Sequence, residues 1–183
     1  PNLTIAAPAD EHDLRNLMYT AIIQKKPFVI RYPRGNGYLN DWRNPMTEIA
    51  IGKGVRVKSG KDIAILSLGT MIHNAKKAIE RLSERGLDVA LYDFKFLKPL
   101  DKDLANEALR GYKYILTVED GCIDGGFGSA IAEYACENGF SNSIKRIGIP
   151  DNFVEHGSVS QLQKLCGMDV ESIAEEAIKM IEK

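Results

Sequence analysis

The sequence predicts an α/β fold, with a mainly parallel sheet and helices on both of its faces. Three observations carry that prediction. Segments with strand character alternate with segments of helical period along most of the chain, the order that builds parallel sheets through helical crossovers. Two of the strand-like runs, "DIAILSLGT" and "YILTVED", are largely apolar, as strands covered on both faces are. The 183 residues are 44% apolar and 27% charged, which suits one domain, or one domain with an appended piece, around a real core.

The opening "LTIAAP" has strand character. "ADEHDLRNLMYTAIIQKK" is predicted to be a helix. Asp10 and Asp13 form a capping arrangement, and Leu14, Leu17, Met18, Ala21 and Ile22 recur at helical spacing as one apolar stripe. Lys25 and Lys26 suit the negative end of its dipole, and Pro27 stops it. "FVIRY", β-branched and aromatic between two prolines, is a short strand. Residues 36–50 are polar, contain a Gly and a Pro, and show no period. They read as an interdomain linker, which Trp42 anchors on a domain surface.

The rest alternates. "GKGVRVKSGK" is a short strand ending in a Ser-Gly turn, and "DIAILSLGT" is a buried strand. "MIHNAKKAIERLSERG" is a helix with Ile72, Ala75, Ile79 and Leu82 on one face and Gly86 at its C-terminal cap. "DVALYDFKFL" reads as one strand, and "DKDLANEALRGY" as a helix capped by Asp101. After the buried strand "YILTVED", "GGFGSAIAEYACENG" is a helix that turns Phe127, Ala130, Ile131, Tyr134 and Ala135 inward. "SIKRIGIP" is the last strand. Two helices follow, one capped by Ser158 with Gln161 and the other by Asp169.

Composition removes several function classes. The formal net charge is −1 and no basic block is present, so no nucleic-acid surface is expected. No apolar run approaches the roughly 20 residues that a bilayer-spanning helix needs. Cys122, Cys136 and Cys166 lack any CxxC or Cys/His ligand spacing, and they read as buried free thiols of a reducing cytoplasm rather than zinc ligands. The opening "PNLTIAAPADEHDL" has neither a Met nor a signal-peptide pattern, so the chain is read as a piece of a longer protein.

Four features could carry chemistry. In "EDGCIDGGFGSA" a strand ends, glycines follow and a helix begins, which is the geometry that cradles a phosphate on backbone N–H groups. The dinucleotide fingerprint fails there, because Ile131 stands where its third glycine should be, and a tight turn with close helix packing is the simpler reading. Glu119 and Asp120 sit at a strand's C-terminal end, where open α/β sheets take ligands. Neighbours on a strand point to opposite sides, so structural hydrogen bonding is expected of them rather than paired-carboxylate catalysis. His12, His73 and His156 are scattered, and His156 alone lies in a plausible site loop, "PDNFVEHGS". "RYPRG" sets Arg31 and Arg34 at the end of a strand, with Pro33 restricting the backbone between them. An arginine there is either a salt-bridged surface residue or the planar fork of an anion site.

Seven stretches, "APADEHDLRNLMYTAI", "FVIRYPRG", "AILSLGTM", "FKFLKPLD", "TVEDGCIDGGFGSA", "GIPDNFVEHG" and "LCGMD", resemble the 1-deoxy-D-xylulose-5-phosphate synthase family in the order and spacing of its C-terminal third. "KPLD" and "GGFG" are shared more loosely with transketolases and the β subunits of 2-oxoacid dehydrogenases, whereas "RYPRG" and "GIPDNFVEHG" are closer to the synthase. The resemblance implies a cytoplasmic homodimer, dependent on thiamine diphosphate and Mg²⁺, that decarboxylates pyruvate and joins the two-carbon unit to D-glyceraldehyde 3-phosphate. The product feeds isoprenoid, thiamine and pyridoxal synthesis.

It also implies a three-layer α/β/α C-terminal domain with a five-stranded mixed sheet, in which "GKGVRVKSGK" is the one antiparallel strand. Residues 1–35 would be the tail of the middle, pyrimidine-binding domain, residues 36–50 the linker, and residues 51–183 the transketolase C-terminal domain. Arg34 matches the family arginine that binds the triose phosphate, and Arg31 is expected to be structural. The cofactor-binding, metal-binding and catalytic residues of the family fall outside this chain, so the chain alone is expected to bind no cofactor and show no activity. Asp120 stands where related sequences often have a second Glu.

Overall fold

The computed structural model describes residues 1–39 and 43–182. The expected anchor Trp42 lies outside the described residues. The chain opens with a βαβ unit: β1 (Thr4–Ala6), α1 (Glu11–Gln24) and β2 (Phe28–Ile30). Then come β3 (Val55–Lys58), β4 (Ile63–Leu68), α2 (Met71–Glu84), β5 (Val89–Asp93), β6 (Phe96–Lys98), α3 (Lys102–Gly111) and β7 (Tyr114–Cys122). The chain continues through α4 (Phe127–Glu137), β8 (Ser143–Ile149), α5 (Val159–Leu165) and α6 (Val170–Ile181).

The larger sheet runs β3-β5-β4-β7-β8. Its strands are parallel except β3, which pairs antiparallel with β5, so this is the mixed five-stranded sheet expected from the resemblance. Alternation along β4 divides the core. Ile63 and Ile65 face α2 and α6 with Val89, Leu91, Ile173 and Ala177, while Ala64, Leu66 and Leu68 face α3 and α4 with Leu109, Phe127 and Ile131. Every residue of β4 and β5 is buried, because helices cover both faces.

Three of the four predicted N-caps bond to the backbone, whereas Asp169 stands at the N-cap position of α6 without a side-chain bond to a helix N–H. Asp101 accepts from the Leu104 N–H, Ser158 and Gln161 form a capping box, and Asp10 accepts from the Asp13 N–H. The apolar face predicted for α2 is buried in full, and Gly86 follows the helix with φ +81°.

Three expectations are corrected. The run "DVALYDFKFL" is two strands rather than one. Lys95 stands at φ +55° and breaks the pairing, so β5 stays in the large sheet and β6 leaves it. The second correction concerns α1, whose apolar stripe is not a core stripe here: Leu17 and Thr20 are buried, but Met18 and Ile22 are 53% and 73% exposed. Third, the cysteines are free but not buried; Cys122 and Cys136 are exposed, and Cys166 is intermediate.

A second sheet, β2-β1-β6, ties the N-terminal unit to the segment that follows β5. β1 runs parallel to β2 and antiparallel to β6. Among the described residues, 36–39 and 43–50 form no helix or strand. Residues 44–49 run along α1 instead, through Arg15 to the Asn44 carbonyl, the Thr47 N–H to Asn16 Oδ1 and the Ile49 N–H to Thr20 Oγ1.

Candidate functional site

β4 and β7 are neighbours, yet the helices that follow them pack on opposite faces of the sheet. Their C-terminal ends therefore form the switch-point crevice where open α/β sheets take ligands. Here the crevice, about 210 Å³, is closed over by the N-terminal unit. Leu68, Gly69, Glu119 and Asp120 line its floor, and Ala7 and Arg31 line its roof. A Cβ added to Gly69 would stand 3.0 Å from the Ala7 Cβ.

The two acidic residues at this edge point apart, as expected, and both are occupied. Glu119 is 4% exposed and accepts from the Phe127 N–H at 2.8 Å and the Gly128 N–H at 2.7 Å. Its carboxylate thus fills the anion-binding start of α4. Burial pushes the Glu119 carboxyl above its ordinary range, against the opposing pull of those two N–H groups and of Arg31 and Arg146. Asp120 pairs with Arg31 at 3.8 Å, the structural role expected of that arginine.

The glycines of "GGFG" serve close packing. A Cβ on Gly126 would lie 2.3 Å from the Cys122 carbonyl oxygen, and one on Gly128 would lie 2.4 Å from Thr117 Oγ1. No set of three His, Cys, Asp or Glu among the described residues could hold a metal ion. With the glycine cradle filled from inside, the described residues do not fit a diphosphate and its Mg²⁺.

Arg34 lies in a separate cleft of about 360 Å³, bounded by Pro8, Asp10 and Leu14 at the start of α1, by Tyr32 and Tyr38, and by Thr70. Arg34 is exposed, and among the described residues it makes no ion pair or hydrogen bond. It is the one cation among the described lining residues, and it faces a wall that also carries Asp10 and Glu11.

The loop around Arg34 is held on both sides. Leu39 N–H donates to Glu11 Oε2 at 3.2 Å, and Gly37 lies so close to the Glu11 carboxylate that any Cβ there would overlap it. Tyr38 stacks on His73 with ring centroids 3.8 Å apart and planes 17° apart. His73 Nε2 lies 2.9 Å from the Ala9 carbonyl, which can only accept, so that nitrogen carries the proton. Burial, then the charges of Asp120 and Glu11, push the Tyr38 phenol above its ordinary value.

His73 is therefore a brace, His12 lies on α1 with Nε2 3.4 Å from Asn44 Nδ2, and His156 stands in an exposed loop. The structure does not bring the three histidines together as a reacting set. One cluster escaped the sequence: Lys95 Nζ lies 2.5 Å from Asp13 Oδ2 and 2.7 Å from Asp93 Oδ2. The alternation in "YDFKF" gives no sign of it, because a strand reading of residues 88–97 leaves Lys95 without a partner on α1.

The family model "Transketolase, C-terminal domain" matches residues 52–173. The 1-deoxy-D-xylulose-5-phosphate synthase of Bacteroides thetaiotaomicron is 52% identical over 184 residues, spanning 100% of this chain and 28% of that protein. The synthase of Halothermothrix orenii is 40% identical over 184 residues, spanning 100% of this chain and 29% of that protein. The chain therefore spans less than a third of the length of these relatives. Among solved structures, a split-gene transketolase described as an inactive β4 tetramer superposes with a TM-score of 0.86 at 27% identity, covering 100% of this chain and 58% of that one. A transketolase mutant from Pichia stipitis superposes with a TM-score of 0.67 at 17% identity over 100% of this chain and 25% of that one, a likeness of fold alone. No helix among the described residues is long and apolar enough to cross a membrane.

Proposed function

The chain belongs to the transketolase C-terminal domain family, and on that premise we propose that it is the C-terminal portion of a 1-deoxy-D-xylulose-5-phosphate synthase. One observation carries the reading: the full length of the chain aligns with such a synthase at 52% identity. In this reading residues 1–35 end the pyrimidine-binding domain, residues 36–50 are the linker, and residues 51–183 are the C-terminal domain. The intact enzyme is a cytoplasmic homodimer. It condenses pyruvate, with decarboxylation, and D-glyceraldehyde 3-phosphate, on thiamine diphosphate and Mg²⁺ held by other parts of the enzyme. The cofactor supplies the carbanion chemistry when bound.

The contribution of this chain is position. Arg34 offers the triose phosphate a planar, always-charged fork, and its freedom from other partners among the described residues supports that use. Holding the phosphate fixes where the aldehyde end of the substrate lies. The acidic wall at Asp10 and Glu11 disfavours anions that do not engage the fork. The exposed apolar residues Met18, Ile22 and Ile23 of α1 and the unpaired edge of β2 suit burial against the rest of the pyrimidine-binding domain.

The test is a chimera in which this chain replaces its matching stretch of the Bacteroides thetaiotaomicron synthase. Arg34→Ala in that chimera raises the KM for the triose phosphate by roughly 30-fold or more, the equivalent of about 2 kcal/mol, and leaves the KM for pyruvate unchanged. Equal effects on both substrates would defeat the assignment. Titration calorimetry of the 183-residue chain alone shows no binding of thiamine diphosphate with Mg²⁺; tight binding would contradict the reading.

A further inference from the structure

We propose that Lys95 is a positioning residue for the Arg34 cleft, joining the large sheet to the wall that faces the arginine. The proposal rests on the reading of Arg34 as the phosphate contact.

The geometry runs through short, sheltered links. Lys95 sits in the turn between β5 and β6 at φ +55°, a left-handed conformation uncommon for a side chain of this size. From there its ammonium reaches Asp93 Oδ2 at the end of β5 and Asp13 Oδ2 on α1. The Lys95 and Asp13 side chains are each 16% exposed, and that of Asp93 is 4% exposed. The Lys95 carbonyl accepts from the Ala7 N–H at 2.9 Å, so backbone and side chain grip the N-terminal unit at two points.

Asp13 passes the constraint on. Its Oδ2 accepts from the Ala9 N–H at 3.3 Å, and its own N–H donates to Asp10 Oδ1 at 3.0 Å. These contacts fix the Pro8–Glu11 turn, from which Pro8, Asp10 and Glu11 line the cleft opposite Arg34. Glu11 in turn holds the Leu39 N–H on the far side of the arginine loop. Among the described residues Lys95 makes no hydrogen bond or ion pair to Arg34 or to a lining residue of the cleft, so its effect is exerted through α1. Two carboxylates share one ammonium. Removing the lysine leaves both carboxylates facing each other in a sheltered site, and they separate, carrying the start of α1 with them.

The experiment uses the same chimera. Lys95→Met raises the KM for the triose phosphate about tenfold, within the range that small misplacements of a substrate contact produce, with kcat and the pyruvate KM little changed. Lys95→Arg, which keeps the charge and the reach, returns the KM most of the way. Asp13→Asn weakens the arm to α1 together with the Ala9 contact on the same oxygen, leaves the Lys95–Asp93 pair intact, and reproduces the KM effect should Lys95→Met fold poorly. In the Arg34→Ala background Lys95→Met adds nothing further, because both act on one contact. An unchanged triose-phosphate KM, an equal rise for both substrates, or full additivity with Arg34→Ala overturns the inference while leaving Arg34 in place.

If Arg34→Ala itself leaves the KM unchanged, the phosphate reading falls. Hydrogen exchange of the chimera then decides the positioning role alone: faster exchange at residues 8–14 and 36–39 in Lys95→Met supports it, and unchanged exchange there overturns it.

Discussion

At the scale of single residues, Glu119 decides what the glycine-rich turn is for. The bare sequence leaves open whether the first amides of α4 await a phosphate. The structure answers with a carboxylate from the preceding strand on the Phe127 and Gly128 N–H groups. Glu119→Ala strips two buried donors of their acceptor and lowers stability by about 2–3 kcal/mol in a urea titration; Glu119→Gln, which keeps one acceptor oxygen, costs less. Gly126→Ala drives a Cβ into the Cys122 carbonyl and costs roughly 1–3 kcal/mol by the same measurement. The structural role of Glu119 was expected from its place at a strand end, whereas that of Arg31 was expected only from the family resemblance. The Lys95 cluster was not, because it joins residues 82 apart in the chain that no local pattern relates.

At the scale of elements, periodicity served best where both faces of an element are covered. The predicted face of α2 is buried in full, and all six residues of β4 lie inside the predicted strand and are buried, with Asp62, Gly69 and Thr70 outside it. α1 carries an equally regular stripe, yet Met18 and Ile22 stand in solvent. Period reports that a face is apolar, not that this stretch of chain covers it. Changing Met18 and Ile22 together to Gln therefore shifts the stability of the 183-residue chain by no more than about 0.5 kcal/mol, as at ordinary surface positions. Thermal unfolding of the two chains checks this. Asp101 is the opposite case, a 4% exposed cap that accepts from Leu104 and also from Gly54 at 2.9 Å, where β3 begins. Asp101→Ala weakens α3 and the edge strand together by about 2 kcal/mol, visible as faster hydrogen exchange in residues 54–58.

At the scale of the whole molecule, the parallel sheet, its layers and the antiparallel edge strand were all readable in advance, whereas the second sheet was not. It exists because a lysine in a left-handed turn takes β6 out of the large sheet, and neither composition nor period encodes that turn. Its charge adds a pH dependence. Burial lowers the affinity of Lys95 for its proton, but Asp93 and Asp13 outweigh it, so the folded pKa lies above the ordinary value of 10.5. The stabilisation from this lysine is thus complete below about pH 10 and is lost as the pH rises through the folded value. Lys95→Met flattens the fall in melting temperature above pH 10; an unchanged slope would count against the ion cluster.

The pairing of β1 with β6 also sets an order of events during synthesis. Residues 5 and 6 leave the ribosome some 90 residues before residues 96–98, their partners. At the usual rates of translation that interval is roughly 5–20 s. Throughout it the edge of β1 that β6 will cover stays unpaired. Nascent-chain quality control can therefore reach this edge throughout that interval.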